Sequence, residues 1–203
     1  MLYGGFNRPF RGLAVSGDRF VVEPREGGLL AAVIDGLGHG AESAIAALRA
    51  EETILAISNA PVEEIVLACH EALRPTRGAA IGLLRVDDQG RGSFCGIGNI
   101  EVLALAGTSP SLFCTAGIVG HNLRRCRPIA FEMKKGDVYC LISDGVSSRG
   151  ALKDCLPGAP AAVAQRIVDR HGRDHDDATA LVFGYEADEL LADAVRPRFG
   201  ASR

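Results

Sequence analysis

A chain of 203 residues with 47% hydrophobic and 23% charged side chains has the balance of a globular domain and excludes a largely disordered one. A net charge of −3 gives no bulk attraction to nucleic acid or anionic membrane, and the short arginine groups (Arg124, Arg125, Arg127; Arg196, Arg198) have no aromatic residues between them. No apolar run approaches the roughly 20 residues that span a bilayer, and Met1-Leu2-Tyr3-Gly4-Gly5 lacks the basic start and apolar stretch of a secretion signal, so a cytoplasmic protein is expected.

Short apolar runs separated by glycine, of which there are 25, mark a strand-rich chain. The first strands are expected at 12–16, 19–23 and 29–34. A helix follows over about 41–57, where Ala41, Ala44, Ile45, Leu48 and Leu55 recur at helical spacing and are expected to be buried as one face. Pro61 opens a second helix, with Glu63 and Glu64 in the first turn, where acids suit the helix dipole. Val62, Ile65, Val66, Cys69 and Leu73 form its apolar stripe. Further strands are expected at 79–86, 92–97, 101–106, 111–115, 127–132 and 138–142. A third helix near 160–170 carries Val163, Ile167 and Val168 on one face, and a last strand is expected at 178–185. Strands bunched in series do not alternate with helices as a parallel β-α-β chain would. They predict an α+β domain of antiparallel sheets covered by helices.

No repeat or linker divides the sequence, so residues 1–203 are expected to form one domain with a flexible tail over 187–203. The six cysteines (Cys69, Cys95, Cys114, Cys126, Cys140, Cys155) include no CxxC pair and lie mostly in apolar runs, which predicts free, buried thiols in a reducing compartment.

The acidic residues fall in a pattern. The apolar run 29–34 ends at Asp35-Gly36-Leu37-Gly38-His39-Gly40, and the run 138–142 ends at Ser143-Asp144-Gly145-Val146. In two other places the acid precedes the strand: Ser16-Gly17-Asp18 before 19–23, and His175-Asp176-Asp177 before 178–185. In an antiparallel sheet the end of one strand lies beside the start of its neighbour, so these acids can share one rim. Carboxylates gathered there raise each other's pKa unless a cation neutralises them. Oxygen-only ligation favours a hard ion such as Mg²⁺ or Mn²⁺. An Asp-Gly pair taken alone is equally a turn signal.

At these residues the chain resembles the metal-dependent PPM-type (protein phosphatase 2C-like) serine/threonine phosphatases, in the SpoIIE/RsbU/RsbX branch. Asp35-Gly36-Leu37-Gly38-His39-Gly40, Ser143-Asp144-Gly145-Val146, Asp176-Asp177-Ala178-Thr179 and Ser16-Gly17-Asp18 resemble that family's motifs, occur in its order and span nearly the whole chain. The resemblance implies a four-layer α/β/β/α sandwich, two stacked antiparallel sheets flanked by helices. It implies two Mn²⁺ or Mg²⁺ ions, with Asp35 bridging them and holding the metal-bridging water that attacks phosphorus. The Gly36 carbonyl would complete one site, Asp144 and Asp176 would hold the other metal, and Asp18 would act directly or through water. Asp177 remains an alternative to Asp176. The implied substrates are phosphorylated STAS-domain proteins of a stressosome, of the RsbS and RsbR type, and the enzyme would act as a monomer.

The sequence departs from the eukaryotic pattern, which places a phosphate-holding arginine five residues before the early acid and a second acid just before it. Leu13 and Gly17 stand there, leaving Arg11 and Arg19 as nearby candidates for holding the substrate phosphate. His39, between two glycines beside the rim, is a candidate general acid or substrate contact, and His175 beside the last acids is another. Three rivals keep the same residues in view. One is an RsbU-like phosphatase acting on an anti-sigma-factor antagonist, and one is a non-catalytic phosphoprotein-binding module of the same fold. The third, a hydrolase of nucleotides, is disfavoured by 5% aromatic residues and no tryptophan.

Overall fold

A computed structural model describes residues 1–123 and 125–191. The strands are β1 (Leu2–Arg8), β2 (Asp18–Arg25), β3 (Gly28–Gly36), β4 (Ala79–Asp87), β5 (Arg91–Ile97), β6 (Glu101–Ala106), β7 (Ile129–Glu132), β8 (Val138–Ile142) and β9 (Ala178–Gly184). The helices are α1 (Ala41–Ala56), α2 (Val62–Leu73) and α3 (Pro160–His171), with a 3-10 turn over Leu152–Cys155.

Hairpins and returns arrange the strands in two antiparallel sheets, one of four strands ordered β1-β9-β8-β6 and one of five ordered β2-β3-β4-β5-β7. The expected α+β sandwich is what forms. Side chains alternate across each strand, and β3 shows the result. Leu30, Ala32 and Ile34 pack under α1 and α2, while Leu29, Ala31 and Val33 meet Tyr139, Leu141, Leu181 and Phe183 of the other sheet. The outer face of the four-stranded sheet is covered by α3 through Val163, Ala164, Ile167 and Val168. Pro160 begins α3 at a position where its missing N–H costs nothing, and Arg170 and His171 sit in the last turn, where cations suit the dipole.

Several expectations are corrected. The segment 12–16 is a loop, turned by the Leu13 N–H donating to Phe10 O at 2.9 Å, and it leaves Val15 exposed. The first strand is Leu2–Arg8, hidden in the sequence by Gly4 and Gly5. Gly4 is required because α3 packs directly on it: an added Cβ would lie 2.4 Å from the Ala161 backbone N. The segment 111–115 is not a strand, and only Thr115 forms an isolated bridge, to Ile97. Helix α1 buries the face made by Ser43, Ala44, Ala46, Ala47, Ala50 and Ile54, whereas Ile45, Leu48 and Leu55 stay 52%, 41% and 42% exposed. Small residues let the helix approach the sheet closely, so the bulky stripe faces outward. Cys95 and Cys126 form a disulfide, because β5 pairs with β7 and the chain entering β7 runs beside Cys95. Cys69, Cys114, Cys140 and Cys155 are free. Within the expected flexible tail, Ala187 and Leu191 are buried with the α3 core, and residues 192–203 lie outside the described residues.

Candidate metal centre

The pairing registers bring the acids to one end of the sandwich. Asp18, the first residue of β2, sits opposite Asp35 near the end of β3. In the other sheet Asp144 follows β8 and Asp176 precedes β9, and the two strand ends are held together by Ser143 N–H donating to Thr179 O at 3.1 Å. Asn99, in the β5–β6 connection, donates from Nδ2 to Asp144 Oδ2 at 2.7 Å and lies close enough to Asp35 to favour its charged form. A cleft of about 500 Å³ opens here, lined by Asp35, Asp144 and Asp176 with Gly38, His39, Asn99 and His175. Asp18 is 4% exposed and lies behind this lining.

Burial and mutual repulsion make these carboxyls hard to ionise together. The Asp35 carboxyl is pushed up to about 9, first by burial and then by the charges of Asp18, Asp144 and Asp176, while Asn99 pulls it back. The Asp18 carboxyl is pushed up to about 7 by burial and by Asp177 and Asp176, against the opposing pull of the nearby Ser143 and Thr179 hydroxyls. Asp176 is also raised, by burial and then by Asp144. Asp18 Oδ2 is buried with no hydrogen-bond partner. A buried carboxylate oxygen without a donor is costly, and a hard cation would supply what it lacks. The donor set is all oxygen, which suits Mg²⁺ or Mn²⁺. Among the described residues no three such side chains already close into a ligand cage. An open rim of this kind suits an ion that takes one or two carboxylates and keeps several of its waters.

The paired acids Asp176 and Asp177 differ in surroundings. Asp177 is buried and its carboxylate accepts from the backbone N–H of Phe10 at 2.8 Å and of Gly17 at 3.0 Å, tying the 9–17 loop to the start of β9. Asp176 faces the cleft. Gly36 is fixed by its N–H donating to Gly17 O at 3.0 Å. His39 is exposed and stacks on Phe10 with ring centroids 4.9 Å apart. Arg19 reaches Glu51 on α1 at 2.6 Å, on the side of β2 opposite to Asp18. Arg11 is exposed on the 9–17 loop and lines a separate cavity with Asp174. The sequence reading did not single out Asn99, Ser143 or Thr179. Asn99 follows a glycine and reads as a turn residue. Ser143 and Thr179 sit inside the quoted motifs, and only their position beside Asp18 gives them a role.

No protein-family model matches the chain. Phosphoserine phosphatase RsbX of Bacillus subtilis (strain 168) is 22% identical over 139 residues, which cover 67% of this chain and 70% of that protein. A solved chain from work on the bacterial stressosome as a modular system adapted to control secondary messenger signaling is 30% identical. It superposes with a TM-score of 0.78 over 89% of this chain and 97% of its own length. The crystal structure of RsbX in complex with magnesium has 19% identity and a TM-score of 0.75, over 88% of this chain and 92% of that one.

Proposed function

The chain belongs to the PPM-type, protein phosphatase 2C-like family of serine/threonine phosphatases, and from that premise we propose that it dephosphorylates STAS-domain stressosome proteins of the RsbS and RsbR type at serine and threonine. Asp18, Asp35, Asp144 and Asp176, with the Gly36 carbonyl, would hold two divalent cations for this. The observation that carries the reading is the shared rim: acids from both sheets raise one another's proton affinity around a single cleft, and one buried oxygen of Asp18 has no donor.

When bound, such ions would activate water near neutral pH and neutralise charge on the phosphoryl oxygens. The chain's own residues supply position. Asp35 projects into the cleft from β3, and Asp18, opposite it on β2, adds a second carboxyl behind it. Asn99 orients the Asp144 carboxylate, leaving its other oxygen for a ligand. Asp177 holds the 9–17 loop in place through two backbone N–H groups and is assigned a structural role, leaving Asp176 as the ligand. His39, held flat against Phe10 at the cleft edge, is in a position to give a proton to the departing serine or threonine oxygen.

We place the activity in the cytoplasm with the resemblance; among the described residues no helix is long and apolar enough to cross a membrane. Incubation of the Mn²⁺-loaded protein with phosphorylated STAS proteins, read by mass, tests the substrate. Loss of one phosphate that EDTA prevents is expected. If a phosphorylated anti-sigma-factor antagonist were dephosphorylated and the stressosome proteins were not, the RsbU-like assignment would replace this one.

A further inference from the structure

We propose that Arg77, on the chain entering β4, holds the phosphoryl group of the substrate and of the released phosphate at the lip of the cleft. The inference rests on the phosphatase reading and supplies the phosphate-holding cation that the 11–19 segment does not place there.

Three observations carry it. The Arg77 guanidinium lies beside Gly38, which lines the cleft. A Cβ added to Gly38, a cleft-lining residue with a φ of +87°, would come within 3.1 Å of Arg77 Nη1. Gly38 therefore does two things at once: it takes a backbone conformation open mainly to glycine, and it leaves room for the guanidinium.

The stem of Arg77 is fixed on both sides. Leu37 N–H donates to Gly78 O at 3.0 Å, which ties the Asp35–Gly40 loop to the base of β4. On the other side, Gly78 N–H donates to Thr76 Oγ1 at 3.0 Å, and the Thr76 carbonyl lies 2.9 Å from His121 Nε2. The guanidinium is thus carried on a braced backbone next to the loop that bears Asp35.

Its donors are unused. Among the described residues Arg77 makes no hydrogen bond and no ion pair, although it is exposed. Other arginines around the five-stranded sheet are committed: Arg19 to Glu51, Arg25 to Ser58 and Asn59, and Arg85 to the Ser58 and Ala60 carbonyls. Arg11, the remaining free candidate, lines a different cavity. A planar fork of free N–H donors beside carboxylates matched to cations fits a ligand that is itself anionic and has several oxygens. A phosphoryl group has that chemistry, and guanidinium binds it through two parallel charge-assisted hydrogen bonds.

The test compares wild type, Arg77→Ala and Arg77→Lys, all Mg²⁺-loaded, by direct titration with inorganic phosphate and by steady-state hydrolysis of a phosphoserine peptide. Arg77→Ala is expected to weaken phosphate binding and to raise KM by about tenfold to a hundredfold, in line with loss of a charged hydrogen-bonded pair. Arg77→Lys is expected to fall between, because a point charge keeps attraction but loses the two-pronged geometry. Mg²⁺ affinity, measured by the same calorimetry, is expected to stay unchanged in both variants. Phosphate binding and KM unaffected by Arg77→Ala would overturn the proposal, as would a wild type that binds no phosphate. So would a parallel loss of Mg²⁺ affinity, which would assign Arg77 to the acid rim instead. A wild type that binds phosphate through Arg77 but hydrolyses no phosphopeptide would leave the inference standing and remove the phosphatase reading.

Discussion

Strand β8 has an aspartate at each end, and the two ends are treated differently. Asp137, just before the strand, is buried, and its carboxylate accepts from Thr108 N–H at 2.9 Å, Lys134 N–H at 2.8 Å and the Tyr139 hydroxyl at 3.2 Å. At the far end Asp144 accepts one bond, from Asn99, and shares its surroundings with Asp35 and Asp176. The strand itself is apolar throughout and gives no hint of the contrast. Burial alone does not mark a functional acid here, since Asp137 and Asp18 are 2% and 4% exposed. The difference lies in donors: protein groups satisfy Asp137, whereas an oxygen of Asp18 is left without a partner. One end is finished by the protein, and the other is left to be finished by a ligand.

The strongest way to break this comparison is to neutralise an acid at each end. Asp35→Asn is expected to lower metal-dependent phosphopeptide hydrolysis by about a thousandfold, the scale on which a key electrostatic group acts. The metal-free variant should melt no lower than wild type, because a repelled carboxyl has been removed. Asp137→Ala should do the reverse, costing about 2–4 kcal/mol of stability by leaving buried donors unpaired, while the folded fraction keeps its turnover. Denaturant unfolding and initial rates on the same samples separate the two.

The neighbouring pair sharpens the contrast within two residues. Asp177→Ala should cost about 2–3 kcal/mol, since it strands the N–H groups of Phe10 and Gly17. Asp176→Asn should change stability little and suppress activity. If Asp177→Asn kept full stability but abolished metal binding, the roles of the two acids would be exchanged.

Titration of the rim gives a subtler effect. Asp35 is pushed up to about 9 and Asp18 to about 7, so between those values and the ordinary carboxylate value near 4 the folded protein holds protons that the unfolded chain has released. Raising the pH through this window therefore destabilises the metal-free protein, and the contribution is fully present only below the window. Tm of the EDTA-treated protein should fall from pH 5 to pH 8. Added Mn²⁺ should raise Tm more at pH 8 than at pH 5, because protons no longer compete for the same oxygens. An equal metal effect at both pH values would contradict the account.

The smallest effect is expected from Arg19→Ala, which removes a partly exposed ion pair with Glu51 and should change stability by less than about 1 kcal/mol. A change in KM beyond about threefold, the factor corresponding to roughly 0.7 kcal/mol, would restore Arg19 as a phosphate contact.

Much of the fold could be read from the chain because its buried strands are unusually plain. The runs that became β3, β4, β8 and β9 are nearly continuous apolar segments. Strand β1 escaped because its two glycines erase the alternation, and their cause, the close approach of α3, is a tertiary fact. The α1 face was misread because spacing finds a stripe but does not weigh bulk. Ala46, Ala47 and Ala50 bury more easily against a sheet than Leu48 does. At the site, the strand-end position of the acids is a local signal and was legible. Which acid of the Asp176-Asp177 pair turns toward the backbone depends on the 9–17 loop, far away in sequence. Asn99 reaches the cleft, and Arg77 the glycine at its edge, from connections whose own sequence reads as turn, and the Cys95–Cys126 bond spans 31 residues that carry no local mark of it.

The central claim is that oxygen atoms from both sheets hold divalent cations in one cleft. The most direct test is a crystal grown with Mn²⁺, with anomalous scattering recorded at the manganese edge. Peaks between Asp35, Asp144 and Asp176, with Asp18 Oδ2 turned toward them or toward a bound water, are the predicted result. Well-ordered carboxylates with no anomalous peak among them at millimolar Mn²⁺ would contradict it.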